Sequence, residues 1–203
     1  MASATDIANL IAIKIGAEAR ITALDDDRPV ARAIRAVWDM QRSAALRDGA
    51  WNFATRRAEL AAEYLPSGTP YPWQSSFPLP ADALRLIEVL NLRGREDYQL
   101  EGRSILCNLP GPLYIRYLID VTEPALWDDL FVEVFACRMA LNVGPRIGGS
   151  NYSIAAGESA LMAAISAAKR VDARENPPMP MEESGWISAR FGGRSAGSSG
   201  GWF

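Results

Sequence analysis

The chain predicts an α+β protein: a four-helix bundle with an inserted antiparallel β meander lobe and an extended C-terminal tail. Three observations predict it. Apolar residues recur at helical spacing before residue 50 and again after residue 127. Between them, short runs rich in branched and aromatic residues are punctuated by glycine and proline. From Asn176 onward the composition turns to proline, glycine and serine. The corresponding units are a discontinuous helical domain (1–60 plus 121–175), a β lobe (61–120) and a tail (176–203).

Ile7, Leu10, Ile11 and Ile15 form one helical stripe over residues 5–16, with Ser3 or Thr5 as N-cap and Gly16 as stop. The run Asp25-Asp26-Asp27 then precedes Arg28-Pro29, acids before a first-turn proline, and predicts a second helix from about 28 to 48. Val30, Ile34, Val37, Trp38 and Ala45 form its apolar stripe, interrupted only by Gln41, and Arg28, Arg32, Arg35 and Arg42 line the other side. Residues 61–76 read as a connecting loop. Strand-like runs follow at 84–92, 98–101, 104–108 and 113–120; Gly102-Arg103 and Pro110-Gly111 mark turns, so sequence neighbours are expected to pair. Helical spacing resumes at Trp127 and continues to about Val143, where Gly144-Pro145 bends or ends it. A last, alanine-rich helix spans about 152–174, with Ile154, Leu161, Ile165 and Ala168 on one side. Its small side chains suit close packing within the chain or a seam with another copy.

At 203 residues and 49% hydrophobic, the chain buries about 70% of its unfolded surface, enough for one sizeable core or two small ones. It contains no histidine, which removes the side chain most used for proton transfer near neutral pH and the commonest imidazole metal ligand. Cys107 and Cys137 sit in apolar surroundings without CxxC spacing and read as buried thiols. No cofactor and no metal are expected. Asp6 and Lys14 break the only N-terminal apolar run, which argues against a signal peptide, and Arg138 breaks the most apolar stretch, which argues against a membrane span. Assembly in the cytoplasm is the expectation. A net charge of -3 lacks the basic surplus of proteins that grip DNA by its phosphates; a neutral or acidic wall is compatible with DNA sliding past it.

The paired carboxylates available for glycoside hydrolysis are those of the Asp25 to Asp27 run, Asp128-Asp129 and Glu182-Glu183. The first two pairs sit at expected helix starts, where acids complement the dipole, and the third lies in the tail; no catalytic residue is expected and the chain does not read as an enzyme. Gly192-Gly193-Arg194 lacks the spacing of a phosphate loop. The arginines of the second helix read as a solvated face, as a surface touching DNA, or as partners of acids on an adjacent copy. In the tail, Trp186, Ile187, Phe191, Trp202 and Phe203 are large anchors on a polar spacer, suited to hold a neighbouring copy or another protein, against the plainer reading of a disordered remnant.

Trp51-Asn52-Phe53-Ala54-Thr55 closes the helical first quarter, and Leu79-Pro80-Ala81-Asp82-Ala83-Leu84-Arg85 opens the strand-patterned middle. With Ile11 to Gly16, Ile21 to Asp25 and the amphipathic stretch ending at Trp51, these blocks, in this order over roughly residues 5–175, resemble the tail tubular protein A family, the head-to-tail adaptors of short-tailed bacteriophages. The resemblance implies a structural virion protein, assembled in the host cytoplasm. It implies a ring of twelve copies that docks under the portal protein, receives the tail nozzle protein and leaves a channel for the genome, which passes without specific binding. It further implies that the tail anchors reach toward the portal and that the β lobe faces the nozzle or neighbouring subunits. From the residues themselves, Arg28, Arg32, Arg35 and Arg42 are expected at a subunit interface or the channel, and Trp51 and Phe53 are expected to pack where bundle and β lobe meet and hold them at a fixed angle. The chain departs from the family in its Gly/Ser-rich end with terminal Trp202-Phe203 and in the Gly144-Pro145 break.

The sequence leaves three rival readings open. One is a smaller head-completion connector or stopper of long-tailed phages, against which the long strand region argues. A second is a tail-associated cell-wall glycan hydrolase using Asp128 and Asp129. The third is a DNA-binding module with steep salt dependence.

Overall fold

The computed structural model describes residues 2–17, 20–63, 68, 70–92 and 97–175. Four helices, α1 (Ala4–Ile15), α2 (Pro29–Arg47), α3 (Asp129–Ile147) and α4 (Ile154–Glu175), accompany six strands: β1 (Thr55–Leu60), β2 (Ser75–Pro78), β3 (Ala83–Val89), β4 (Tyr98–Glu101), β5 (Ser104–Cys107) and β6 (Leu113–Ile119). The α+β class is therefore observed.

Local chemistry sets the helix limits. Ser3 and Asp6 form a reciprocal capping box that starts α1, and Gly16, at φ 78°, ends it in the left-handed region glycine adopts without strain. Pro29 occupies the first turn of α2, and the Asp26 carboxylate accepts the Arg28 N–H at 3.2 Å just ahead of it. Asp128 caps α3 by accepting from Leu130 N at 2.8 Å and Phe131 N at 3.4 Å. The expected break at Gly144-Pro145 does not end α3, which runs on to Ile147. Pro145 removes one i→i−4 hydrogen bond, but only two residues of α3 follow it, so the helix already made is kept; Gly144 has a packing reason: a Cβ there would stand 2.7 Å from the Tyr152 ring. Gly148 and Gly157 are closed off by the same residue. Tyr152 is thus a wedge in a glycine-lined notch between the end of α3 and the start of α4.

The helices are organised about α3, which packs on α1, α2 and α4. Its buried side chains, among them Phe131, Val134, Phe135 and Met139, meet Ile7 and Ile11 of α1, Ile34 and Trp38 of α2, and Ala168 of α4 in one core. α4 buries only Ala168 fully and leaves Ile154 at 52% and Met162 at 72% exposure.

The strands form two three-stranded antiparallel sheets, β1-β6-β3 and β2-β5-β4. This corrects the meander: of the strand pairs adjacent in sequence, only β4 and β5 are hydrogen-bonded partners, joined through Gly102 at φ 57°. β6 instead lies between β1 and β3. The boundaries are corrected with it. Residues 55–60, assigned by sequence to the helical domain, are strand β1, and β2 starts at Ser75, inside the expected loop. The reason is that β1 is an edge strand whose mixed sequence carries no alternation strong enough to stand out, and its pairing to β6 spans about sixty residues. β3 stops at Val89 rather than 92.

The first sheet is shared by two cores. Leu118, Leu84 and Ile87 pack against the helices, while Leu113, Ile115, Tyr117, Ala83 and Val89 face Phe77, Ile105 and Cys107 around the second sheet. Period-two alternation along β6 produces this division. The helices and the second sheet are therefore two layers on opposite faces of one middle sheet, and the β part is not a detached lobe.

Candidate functional site

Trp51 is the pivot between layers. It is 1% exposed, its indole N–H donates to the Ala45 carbonyl at 3.1 Å, and its ring meets Phe131 edge-on at 5.2 Å. Phe53 also packs on Phe131, tilted, at 5.1 Å, and Trp38, Trp127 and Phe135 continue the aromatic cluster. Both residues lie between α2 and β1, packed on the start of α3, where helices and sheet meet. Gly49 leaves room for this turn: a Cβ there would come within 2.8 Å of the Trp51 ring.

Four arginines reinforce the junction. Arg47 Nη1 donates to the Leu84 carbonyl at 2.9 Å, and Arg85 Nη1 returns the bond to the Arg47 carbonyl at 2.6 Å, so α2 and β3 are clamped reciprocally. Arg138 of α3 donates to Asp48 at 2.8 Å. Arg42 donates through Nε and Nη2 to both oxygens of Asp120, each at 2.9 Å, and also bonds Asp39. The bond to Asp120 and its charge hold the Arg42 guanidinium above its ordinary pKa, against the opposing effect of burial.

The position of Arg42 corrects the four-arginine stripe. Arg28, Arg32 and Arg35 are exposed on α2, whereas Arg42 is 7% exposed and turned inward. Its spacing gives the reason: Arg42 is one turn after Trp38 and one before Leu46, on the buried side of α2. Of the exposed three, Arg28 pairs with Asp26 at 3.4 Å and Arg32 with Asp27 at 3.7 Å, within the same chain. The tail anchors Trp186, Ile187, Phe191, Trp202 and Phe203, with Glu182-Glu183, lie outside the described residues.

A cleft of about 970 Å³ opens where α4 passes over the helix-facing side of the middle sheet. Its floor is a charged row across three strands: Arg57 of β1 stands opposite Arg116 of β6, which stands opposite Glu88 of β3. Arg116 Nε is 3.0 Å from Glu88, an ion pair without a well-aligned hydrogen bond. Arg57 and Lys169 line the same cleft and have no acidic partner among the described residues. Two like charges face to face across a strand pair are unfavourable unless an anion lies between or above them. On the α4 wall, burial pushes the Asp172 carboxyl up from the usual range, a hydrogen bond from the Asn52 backbone opposes this, and Asp128 and Glu175 add to the rise. The Nε of Arg85 is buried with no hydrogen-bond partner.

Sequence reading missed this cleft. Its one local signal is Tyr114-x-Arg116-x-Leu118, a strand face with a charge set between an aromatic and an aliphatic residue; the partners come from three distant segments, 48–57, 85–90 and 169–173. The carboxylates singled out have structural duties: Asp128 caps α3 and Asp26 precedes α2. Cys107 and Cys137 are unpaired and buried. Among the described residues no group of three or more histidine, cysteine, aspartate or glutamate side chains is placed to hold a metal ion, and no described helix is long and apolar enough to cross a membrane. No protein-family model matches the chain, and no curated protein matches it.

Proposed function

We propose that this chain is a structural head-to-tail adaptor of a short-tailed bacteriophage, a subunit of a twelve-membered ring between portal and tail nozzle with the genome channel at its centre. Its four helices act as a bundle organised around α3, and the middle sheet carries the second sheet as a rigid outrigger. The observation that carries the reading is the Trp51-to-β1 junction. The resemblance to the adaptor family runs through Trp51-x-Phe53, and those side chains, with the Arg47–Arg85 clamp and the Arg42–Asp120 pair, lock helices to sheet where an adaptor needs a fixed angle between ring body and docking lobe. The mostly exposed α4 and the charged cleft offer separate surfaces for neighbours. In this reading the anchors after Asn176 engage the portal, Arg28, Arg32 and Arg35 face a neighbour or the channel, and DNA passes without specific contacts. The protein acts by shape and adhesion in the virion, not by catalysis.

The test is electron microscopy of the full chain mixed with the portal protein of the same phage. Twelvefold rings seated on the portal support the reading. Particles that stay single, with the portal ring bare, overturn it.

A further inference from the structure

The acid run ahead of α2 and the cleft beyond its end are unlike patches at opposite ends of the same helix. Asp25 is exposed with no partner among the described residues, and the Asp27 side chain is 95% exposed, touching Arg32 only at 3.7 Å. At the other end, Asp48, Gly49 and Ala50, which follow α2 directly, line the cleft, where the cations Arg57, Arg85, Arg116 and Lys169 stand with Asp48, Glu88 and Asp172, and Arg57 and Lys169 form no salt bridge among the described residues. The nineteen residues of α2 separate the two patches by roughly 28 Å at 1.5 Å per residue.

From this complementarity we infer that the cleft is a receptor for a second copy of this chain, and that its occupant is that copy's Asp25 to Asp27 loop, with Asp25 and Asp27 seated against Arg57 and Lys169. An aspartate oxygen above the sheet would answer the like-charge opposition of Arg57 and Arg116, which Glu88 answers only on the far side of Arg116. A duplex DNA backbone fits the site less well: a loop with two free carboxylates can set one beside Arg57 and one beside Lys169, whereas a continuous row of phosphates must also run past Glu88, Asp48 and Asp172. Since donor and receptor patches differ and lie at opposite ends of the helical layer, the contact is heterologous: each copy uses both patches and the chain of contacts continues until it closes. The charges set register and partner choice, and salt weakens them. The inference rests on the ring reading for its closed geometry, not for the contact itself.

The experiment uses the full chain with Asp25→Cys and Arg57→Cys together, both at exposed positions, while the native Cys107 and Cys137 are buried. Under mild oxidation the double variant is expected to give a ladder of disulfide-linked multiples on a non-reducing gel, about tenfold more product than an Asp25→Cys/Arg35→Cys control, with the excess reduced by molar salt. Each single variant is expected to stay unlinked, and the two singles mixed are expected to stop at a dimer. No ladder, a ladder equal to the control, or dimers from a single variant would overturn the contact. If the ladder fails while the unmodified chain still forms rings on the portal, the seam is wrong and the adaptor reading stands. If it forms but runs on into open fibres with no closed species, the seam stands and the ring falls.

Discussion

Arg42 and Asp120 are 78 residues apart in sequence and meet through two parallel hydrogen bonds of 2.9 Å, fastening the middle of α2 to the end of β6. The arginine side chain is 9% exposed and the aspartate 33%, so only one charge is fully withdrawn from water. Asp120→Ala should therefore cost about 2–3 kcal/mol, near the lower end for a broken buried pair, by leaving that arginine without its main partner. Replacing both residues with apolar ones of similar volume should recover much of the loss. Urea unfolding of Asp120→Ala, of Arg42→Met, and of the double variant decides it through their coupling.

Trp51→Ala should destabilise the fold by about 3–5 kcal/mol, since it empties the space against Phe131 and abandons the Ala45 carbonyl. Trp51→Phe should cost less while preserving the ring contact. If the junction sets the angle between layers, Trp51→Phe assembles and Trp51→Ala, at a temperature where it remains folded, does not. A folded Trp51→Ala protein that still assembled normally would count against that role.

The Tyr152 notch makes a prediction of opposite character. Gly144→Ala and Gly157→Ala each add a methyl group where the Tyr152 ring already stands, and despite alanine's better helix propensity each should lose about 1–3 kcal/mol through overpacking. Combining Gly144→Ala with Tyr152→Leu should cost less than the sum of the two. Thermal melts of the singles and the double provide the comparison.

Much of this architecture is written locally, and the exceptions share a cause. Gly16, Pro29, Asp128 and the Gly102 hairpin are each decided within four residues, and each was legible; Ser3 was legible as one of two N-cap candidates, but its reciprocal bond with Asp6 was not read. Arg42 was misread because its type suggested solvent, although its spacing from Trp38 and Leu46 already placed it on the buried side; the acid that makes burial tolerable lies on another element. β1 and the two-sheet order depend on pairings across roughly thirty to sixty residues, which alternation within a six-residue run does not encode. The cleft was invisible for the same reason: Arg57, Arg116, Lys169 and Asp172 become neighbours only after the sheet and α4 are in place.

Asp172 gives a pH prediction with a definite sign. Burial, the first cause, raises its folded pKa above the unfolded value, so the folded state holds this proton more tightly. Stability from that group is fully present at pH below the unfolded carboxylate range and is lost as pH rises through the raised folded pKa. Asp172→Asn retains an oxygen for the Asn52 N–H and removes the charge. It should raise the melting temperature at about pH 7, with the advantage fading on acidification to about pH 3. An advantage equally large at both pH values would show that the carboxylate's charge is not the cause.

The central claim, that the chain works as a repeated ring subunit, is tested most directly by the native mass of the purified full chain alone and after mixing with its portal protein. The account predicts a monomer or small oligomer alone and, on mixing, a single complex whose added mass equals twelve copies of the chain. A chain that remains unassociated in both samples, or binds the portal as isolated single copies, would contradict it.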